Sequence, residues 1–261
     1  GSISLFSMLF IFMLAPEFFI PMRSLTALFH VAMTGVTAAE NISKFLDAPE
    51  KQSNGNSNFK NNNEIKISNL DFYYTDGTLA LKDISLNFKK NSLTAIVGHS
   101  GCGKSTLVSI LSGEQKVPRN KIFIDGIDIT EIKSEKKKKN ILKITHDSHI
   151  FASTVRENLA MGQVDIPDEK MIEVLKTVKL WSIFEKDRGL DSILKSQGKN
   201  LSGGQAQRVA LARALLYDAS VYIFDEATSN IDIESEEIIL NIIHNLAKTK
   251  TIIYISHRLS A

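Results

Sequence analysis

The N-terminal segment is the most apolar part of the chain. Residues Ile3 to Ala15 carry no charge, and the apolar run continues to Met22. Because a bilayer crossing takes about 20 mostly apolar residues, the run predicts a transmembrane helix. Pro16, Glu17 and Pro21 interrupt its second half, so a buried core helix or a signal sequence is the alternative. No basic segment precedes the run, and this disfavours a secretory signal.

A second helical pattern begins at Arg23. Apolar residues recur there at three- and four-residue spacing and give one apolar face: Leu25, Leu28, Phe29, Ala32, Met33 and Val36. We expect this helix to extend from the membrane into the cytoplasm and to end before Pro49, since proline disfavours helix in the residue before it. Residues 49–63 are rich in Asn, Ser and Gly and predict a linker, because they cannot bury enough apolar surface to fold.

From Glu64 onward, strand patterns alternate with helical stretches. Ile65 to Ile67 and Ile84 to Phe88 alternate apolar and polar residues, and Leu93 to Val97 is a short apolar strand leading into a glycine-rich loop. Strands that alternate with helices are typical of a mainly parallel α/β core. We therefore expect three regions: a membrane fragment over 1–48, a linker over 49–63 and a globular domain over 64–261.

Composition excludes some classes of protein. The chain has 261 residues, with 31 basic against 29 acidic, so its bulk charge does not indicate a nucleic-acid partner. The lysine run at 136–139 is short and isolated, which favours a solvated helix face. The single cysteine, Cys102, excludes an intramolecular disulfide and fits a reducing compartment.

A phosphate-binding motif, GHSGCGKST, occupies residues 98–106 and matches G-x-x-x-x-G-K-[ST]. Glycines let the backbone curl so that amide groups point at phosphate oxygens, and the helix that follows adds its positive end. Lys104 can reach the β- and γ-phosphates, while the Ser105 hydroxyl can ligate Mg²⁺. The motif follows an apolar strand and precedes a helical stretch, which is the context that it requires.

A further apolar strand, predicted over residues 221–226, ends in two successive carboxylates, Asp225 and Glu226. Ligands of open α/β sheets bind at the carboxyl ends of strands. Asp225 can therefore hold Mg²⁺, through water, and Glu226 can orient or deprotonate an attacking water.

These motifs, with LSGGQ at 201–205 and His257 within ISHRLS, resemble the nucleotide-binding domain of ABC transporters from about Glu64 to Ala261. The resemblance implies a P-loop NTPase α/β domain with an antiparallel β-subdomain and an α-helical subdomain. An apolar helix ahead of it is the exporter arrangement, so the N-terminal region resembles the last membrane helix of a half-transporter. ATP hydrolysis with Mg²⁺ is the implied activity.

The resemblance also implies individual roles. Tyr74 stacks on adenine, although a sheet-packing tyrosine is the alternative. Ser202 and Gly204 contact the γ-phosphate held by the opposite subunit, and Asp232 communicates across the dimer. His257 hydrogen-bonds the γ-phosphate near Glu226, with an ordinary strand-end histidine as the alternative. The phosphate-loop residues expected to contact nucleotide are Gly98, Ser100, Gly101, Cys102, Gly103, Lys104, Ser105 and Thr106.

Two positions depart from the family pattern. His146 lies where the family usually has a glutamine. We expect a weakened metal contact by His146, in addition to Ser105 and Asp225, and acid-sensitive turnover; a tolerated neutral replacement is the alternative. Ser196 lies where exporters often carry a glutamate before the signature, so contact with the membrane domain is expected to differ. Cys102 is open to a redox role or to none.

The membrane-side stretch resembles more narrowly the D subunits of the bacterial cysteine and glutathione exporters that serve cytochrome bd assembly. This implies a second half-transporter as partner, in a heterodimer or a homodimer, in the cytoplasmic membrane with the ATPase facing the cytoplasm. Export of a small thiol is expected; a lipid, drug or peptide is the alternative cargo. We expect the chain to be a fragment, with further membrane helices and the C-terminal end outside it. A soluble ABC ATPase and a non-hydrolysing regulatory module are the competing classes.

Overall fold

The computed structural model describes residues 4–47, 64–147, 149–163, 165–229 and 231–256. The chain divides into two compact units, Gly1–Lys51 and Gln52–Ala261. The predicted linker, residues 49–63, lies outside the described residues, as does His257.

The first unit is one helix, α1, from Leu5 to Leu46. The Ser4 hydroxyl caps its start by accepting a hydrogen bond from the Ser7 amide at 3.2 Å, and Asp47 ends it. Pro16 and Pro21 do not break the helix; each removes a single amide donor from a helix of 42 residues.

Helix α1 is long and apolar enough to cross a membrane, and no part of its most apolar 18-residue stretch is buried. At 1.5 Å per residue it measures about 63 Å, against about 30 Å for the hydrocarbon core of a bilayer. The two sequence patterns, the apolar run and the periodic stretch after Arg23, therefore belong to one helix that exceeds the thickness of a membrane.

The second unit begins with an antiparallel sheet of strand order β2-β1-β4-β5. Its strands are β1 (Ile65–Tyr73), β2 (Leu79–Phe88), β4 (Ile122–Ile124) and β5 (Ile127–Asp128). In β1 the apolar residues Ile65, Ile67, Leu70 and Phe72 are buried, while most of the intervening residues are exposed. This alternation gives the sheet one core face and one solvated face.

A parallel sheet of strand order β3-β8-β7-β6 forms the centre of the unit. Its strands are β3 (Leu93–Val97), β6 (Ile141–Thr145), β7 (Val221–Asp225) and β8 (Thr251–Ser256). In β7, Val221 and Ile223 belong to the core shared with the antiparallel sheet, and Tyr222 and Phe224 belong to the core on the opposite face. Burial on both faces explains why this strand is a continuous apolar run.

Helices cover both faces and form a helical subdomain between β6 and β7. They are α2 (Lys104–Leu111), α3 (Ser134–Asn140), α4 (Val155–Ala160), α5 (Asp168–Thr177), α6 (Trp181–Phe184), α7 (Gly203–Tyr217) and α8 (Ile233–Leu246). Helix α3 carries the lysine run, of which Lys136, Lys138 and Lys139 are exposed. The expected fold, a parallel α/β core with an antiparallel β-subdomain and a helical subdomain, is confirmed.

Candidate functional site

The phosphate loop joins β3 to α2 and requires glycine at two positions. Gly101 and Gly103 adopt positive φ angles of 80° and 95°, a region that side chains other than glycine rarely adopt. A Cβ atom on Gly103 would lie 2.6 Å from Leu81 Cδ2 and 2.8 Å from the Ala80 carbonyl oxygen. The loop therefore curls tightly against the start of β2 and directs its chain into α2.

Lys104 is the first residue of α2, and its side chain folds back over the loop. Its ammonium donates hydrogen bonds to the carbonyl oxygens of Gly98 and His99, both at 2.7 Å, and only 7% of the residue is exposed. Cys102 is exposed, with its sulfur 3.7 Å from the Lys104 ammonium. The loop thus holds a buried cation beside backbone amides, an arrangement that suits phosphate oxygens.

Tyr74 lies one residue beyond β1 and contacts the start of α2. Its hydroxyl shares a hydrogen bond with Thr106 Oγ1 at 2.8 Å, and its ring packs edge-on against Phe72 with 5.4 Å between centroids. The side chain is partly exposed, with 37% of its surface accessible. The structure therefore brings Tyr74 to the phosphate loop; adenine stacking on its free face stays a prediction.

The register of the parallel sheet brings the acidic residues to the same edge as the phosphate loop. Val97 pairs with Ser256, and Asp225 pairs with Ile255 on one side and Thr145 on the other. Four strands therefore end at one level. The residues that follow them are the phosphate loop, Glu226 and His146, together with residue 257, which lies outside the described part of the chain.

The two carboxylates differ in their surroundings. Burial raises the pKa of the Asp225 carboxyl; Glu226 adds to this rise, whereas Lys143 and His146 oppose it. Glu226 has a φ of 53°, and its amide donates to the Ile255 carbonyl oxygen at 3.1 Å. A partly buried carboxylate whose ionised form is disfavoured is stabilised by a bound cation.

The side chains at this edge fit a divalent cation that arrives with a nucleotide. Ser105 contributes a hydroxyl and Asp225 a carboxylate, the oxygen donors that Mg²⁺ prefers. Within the described residues, no three His, Cys, Asp or Glu side chains are grouped closely enough to hold a metal by themselves. Phosphate oxygens would complete the coordination, which is how Mg²⁺ is usually bound in phosphoryl-transfer sites. Bound there, the cation would neutralise phosphate charge.

The signature residues form the N-terminus of α7. Ser202 and Gln205 make a capping box: the Ser202 hydroxyl accepts from the Gln205 amide at 3.1 Å, and the Gln205 side chain accepts from the Ser202 amide at 2.9 Å. A Cβ on Gly204 would lie 2.5 Å from Ser235 Cβ and 2.6 Å from Asp232 Oδ2. Only glycine therefore lets the starts of α7 and α8 approach so closely.

Asp232 caps the second of these helices. Its Oδ1 accepts a hydrogen bond from the Ser235 amide at 2.8 Å, and this bond contributes most to holding the pKa of Asp232 below its ordinary value. The ionised Asp232 carboxylate interacts favourably with the positive N-terminal end of α8.

The comparisons with known proteins agree with these motifs. A family model described as "ABC transporter" matches residues 81–229, more than half of the chain. The chain belongs to the ABC transporter family.

Two relatives and one solved structure show how much of a longer protein this ABC chain spans. An ABC transporter ATP-binding protein of Haemophilus influenzae is 44% identical over 262 residues, which cover 100% of this chain and 47% of the relative. An ATP-dependent lipid A-core flippase of Psychrobacter arcticus is 36% identical over 242 residues, covering 92% of this chain and 41% of the flippase. The chain thus spans less than half of the length of these relatives.

The structural likeness is to an exporter. A bacterial Atm1-family ABC exporter with ATP bound matches with a TM-score of 0.77 and 27% identity, covering 100% of this chain and 46% of that one. The exporter-type assignment, made from the motifs and the apolar helix, therefore holds. The narrower likeness to cysteine and glutathione exporters stays a proposal.

Two further residues of α7, not identified from the sequence, attach this signature helix of the ABC domain to the loop between β6 and α4. That loop carries His146 and is called the His146 loop below. Gln207, buried in α7, donates from Nε2 to the carbonyl oxygen of Thr145 at 2.9 Å. Arg213 donates to the carbonyl oxygens of His149 and Asn158. Both ends of the loop are thereby anchored to one helix. Polar residues at helical spacing are normally solvent-facing, so the sequence held no signal for these roles.

The segment before the signature is joined to the same loop. The Gln197 amide donates to the Ile150 carbonyl oxygen at 2.9 Å, and the Leu194 amide to the Ser153 carbonyl oxygen at 2.9 Å. Ser196 starts a short 3₁₀ helix, Ser196–Gly198, within that segment. The position where exporters often carry a glutamate is therefore one residue away from a backbone link to the loop.

Proposed function

We propose that the chain is the ATP-hydrolysing part of an ABC exporter half-transporter. Lys104 binds the β- and γ-phosphates, Ser105 and Asp225 hold Mg²⁺, and Glu226 orients the attacking water as general base. His257 assists at the γ-phosphate. Coupled to a membrane domain, hydrolysis of ATP to ADP and phosphate moves a solute across the cytoplasmic membrane.

One observation carries this proposal. The parallel register aligns Val97 with Ser256 and Asp225 with Ile255, so the phosphate loop and the acidic pair leave the sheet at the same level. A cation-binding carboxylate, a candidate base and a phosphate cradle at one sheet edge are the parts that phosphoryl transfer needs.

The strand order supports a site shared between two subunits. Strand β3, which precedes the phosphate loop, is at one edge of the parallel sheet. Strand β6 is at the other edge, and α7 is attached to it through Gln207. At about 4.8 Å per strand, the two edge strands are about 14 Å apart. Ser202 and Gly204 therefore serve the phosphate loop of a second copy or of a related subunit.

Helix α1 supports a membrane location. Its length and hydropathy fit the last membrane helix of a half-transporter with a cytoplasmic extension. The ATPase domain then faces the cytoplasm, where ATP is present.

For the cargo, we propose a small thiol of the cysteine or glutathione type. The proposal rests on the likeness of residues 14–46 to the thiol exporters named above. A lipid is the second candidate, because a relative at 36% identity is an ATP-dependent lipid A-core flippase. Inverted vesicles that hold the full-length protein with its partner should accumulate labelled cysteine or glutathione only with ATP. Movement of a labelled lipid instead would select the second candidate.

Phosphate release by the detergent-purified full-length protein tests the ATPase. Glu226→Gln should lower turnover at least about 100-fold, the usual contribution of a general base, while nucleotide still binds. Lys104→Ala should lower both the turnover rate and the affinity for nucleotide. Glu173→Gln and Lys139→Ala, at exposed positions on α5 and α3, are the matched controls and should stay at the wild-type rate. Wild-type turnover in Glu226→Gln would remove Glu226 as the general base, and absence of phosphate release by the wild type would favour a non-hydrolysing module.

A further inference from the structure

The proposed general base, Glu226, lies where the backbone leaves the parallel sheet. The chain runs along β7 to Asp225, and Glu226 then adopts a φ of 53°. This left-handed conformation is uncommon for a residue other than glycine, and it persists only where the surrounding contacts impose it. The position of the Glu226 carboxylate therefore depends on what holds residues 226–229, called the Glu226 turn below.

Backbone hydrogen bonds hold the beginning of the Glu226 turn. The Glu226 amide donates to the Ile255 carbonyl oxygen on β8 at 3.1 Å, and the Ser229 amide donates to the Glu226 carbonyl oxygen at 3.0 Å. The first bond fixes the point at which the turn leaves the sheet, and the second closes the turn on itself. Neither of these two bonds attaches the far side of the turn to the rest of the domain.

A buried hydrogen bond between two side chains makes that attachment. Thr228 Oγ1 and the Tyr254 hydroxyl share a hydrogen bond at 2.8 Å, and the two residues are only 6% and 4% exposed. At this depth, loss of one hydroxyl would take a hydrogen-bond partner from a group that water does not readily reach, which is costly. The bond therefore ties the Glu226 turn firmly to β8.

Tyr254 is itself fixed by the sheet and by the core. It pairs with Phe224 of β7, and both side chains belong to the core on the face opposite the antiparallel sheet. Ala227, within the Glu226 turn, belongs to the same core and is buried. Because a close-packed core resists small displacements, the Glu226 turn is held against a rigid surface.

We propose that Tyr254 is a positioning residue for ATP hydrolysis: its hydroxyl, through Thr228, holds the Glu226 turn so that the Glu226 carboxylate is aimed at the attacking water. The inference rests on the proposed ATPase and on Glu226 as its base. A general base must lie within hydrogen-bond reach of the proton that it removes, and a misplacement of about 1 Å can cost about 100-fold in rate.

ATP hydrolysis by the full-length protein, assembled with its partner in detergent, tests this role. Tyr254→Phe and Thr228→Val each remove one hydroxyl and nearly keep the shape of the side chain. Each should lower kcat by about tenfold through a misplaced base, while the KM for ATP stays unchanged because the phosphate loop is intact. The double variant should be no slower than either single variant, since the two hydroxyls act as one pair.

Tyr222→Phe is the matched control. Tyr222 is buried on the adjacent strand β7 and donates its hydroxyl hydrogen to the Ala214 carbonyl oxygen at 3.1 Å, away from the Glu226 turn. That carbonyl oxygen also accepts from the Asp218 amide, so the substitution leaves it with a partner. Tyr222→Phe should keep the wild-type kcat. Thermal unfolding of every variant shows whether each is folded at the assay temperature.

Single-turnover hydrolysis in a Glu226→Gln background separates positioning from a general loss of structure. Without the base, Tyr254→Phe should change the residual rate by less than about twofold, because residues that act as a unit are not additive. Wild-type kcat in Tyr254→Phe, an equal fall in Tyr222→Phe, or an undiminished fall in the Glu226→Gln background would overturn this inference and leave the proposed ATPase intact. Absence of phosphate release by the wild type would overturn the ATPase proposal itself.

Discussion

The phosphate-loop side and the signature side of the domain are built by different means. The first consists of loops at the ends of four hydrogen-bonded strands, with a buried lysine whose ammonium binds backbone carbonyl oxygens. The second consists of the exposed starts of two helices, each capped by its own side chain and separated by a single glycine.

Because of this difference, we expect substitutions on the two sides to have different effects. Strand pairing holds Asp225 in place, and hydrogen bonds to the loop carbonyl oxygens hold Lys104, so substitutions there alter chemistry more than position. Ser202 and Gly204 depend on helix packing, so substitutions there alter how the surface meets a second subunit. Substitutions of Asp225, Gly204, Gln207 and Tyr74 test this contrast.

Asp225→Asn should separate chemistry from stability on the phosphate-loop side. Loss of the metal-binding charge should weaken Mg²⁺-nucleotide binding by about 100-fold, as loss of a key electrostatic contact does. The midpoint temperature of thermal unfolding without nucleotide should rise in Asp225→Asn. The raised pKa of Asp225 shows that its ionised form is disfavoured in the folded protein. An unchanged affinity for Mg²⁺-nucleotide would remove Asp225 from the metal site.

The pH dependence of that gain has a definite sign. A carboxyl whose pKa is raised in the folded protein stabilises the fold below its ordinary pKa of 3.8, and this contribution is lost as the pH rises through the folded pKa. The stability advantage of Asp225→Asn should therefore be absent in acid and grow toward neutral pH. Thermal unfolding across that range measures it; a constant difference would contradict the assignment.

Gly204→Ala should affect the signature side alone. The added methyl meets Ser235 and Asp232, so the starts of α7 and α8 must separate. ATP hydrolysis by the assembled protein should fall by about tenfold or more, while a single copy still binds nucleotide at its own phosphate loop. Ser235→Gly, which removes the opposing Ser235 side chain but leaves the Asp232 carboxylate, should restore part of the rate in the double variant; failure to do so would argue against this packing account.

Gln207→Ala should loosen the link between the two sides. Removal of the hydrogen bond to the Thr145 carbonyl oxygen should cost about 1–2 kcal/mol of stability. The steady-state rate should fall severalfold through a disordered His146 loop. Chemical denaturation and phosphate release measure the two effects. Gln207→Glu, which places a carboxylate against the Thr145 carbonyl oxygen at a buried position, should cost more stability than the alanine variant.

Tyr74→Phe should have the smallest effect. The ring remains for stacking, and only the hydrogen bond to Thr106 at 2.8 Å is lost. Nucleotide affinity should change less than about threefold, in line with one neutral hydrogen bond. Tyr74→Ala should weaken binding much more if the ring stacks on adenine; equal behaviour of the two variants would identify a role in sheet packing only.

Local pattern was sufficient for most elements of the fold. Strand β3 was predicted at its observed bounds, and β7 was predicted one residue too long, to Glu226 instead of Asp225. An apolar run that ends in glycines or in carboxylates leaves little choice of boundary. The N-terminal region was harder. Its two prolines suggested an interruption, yet α1 continues through both, since one lost hydrogen bond does not end a long helix.

The chemical groups of the candidate site could be predicted from the amino-acid sequence: a phosphate loop, an acidic strand end, a signature motif and a histidine in place of glutamine. Each of these features is a short contiguous stretch of the chain and depends on local backbone geometry. The strand order β3-β8-β7-β6, which separates the phosphate loop from the signature, could be seen only in the folded structure. The same is true of the hydrogen bonds from Gln207 and Arg213 of α7 to the loop that carries His146. Pairing between distant strands and the burial of a polar side chain depend on packing, which no local period records.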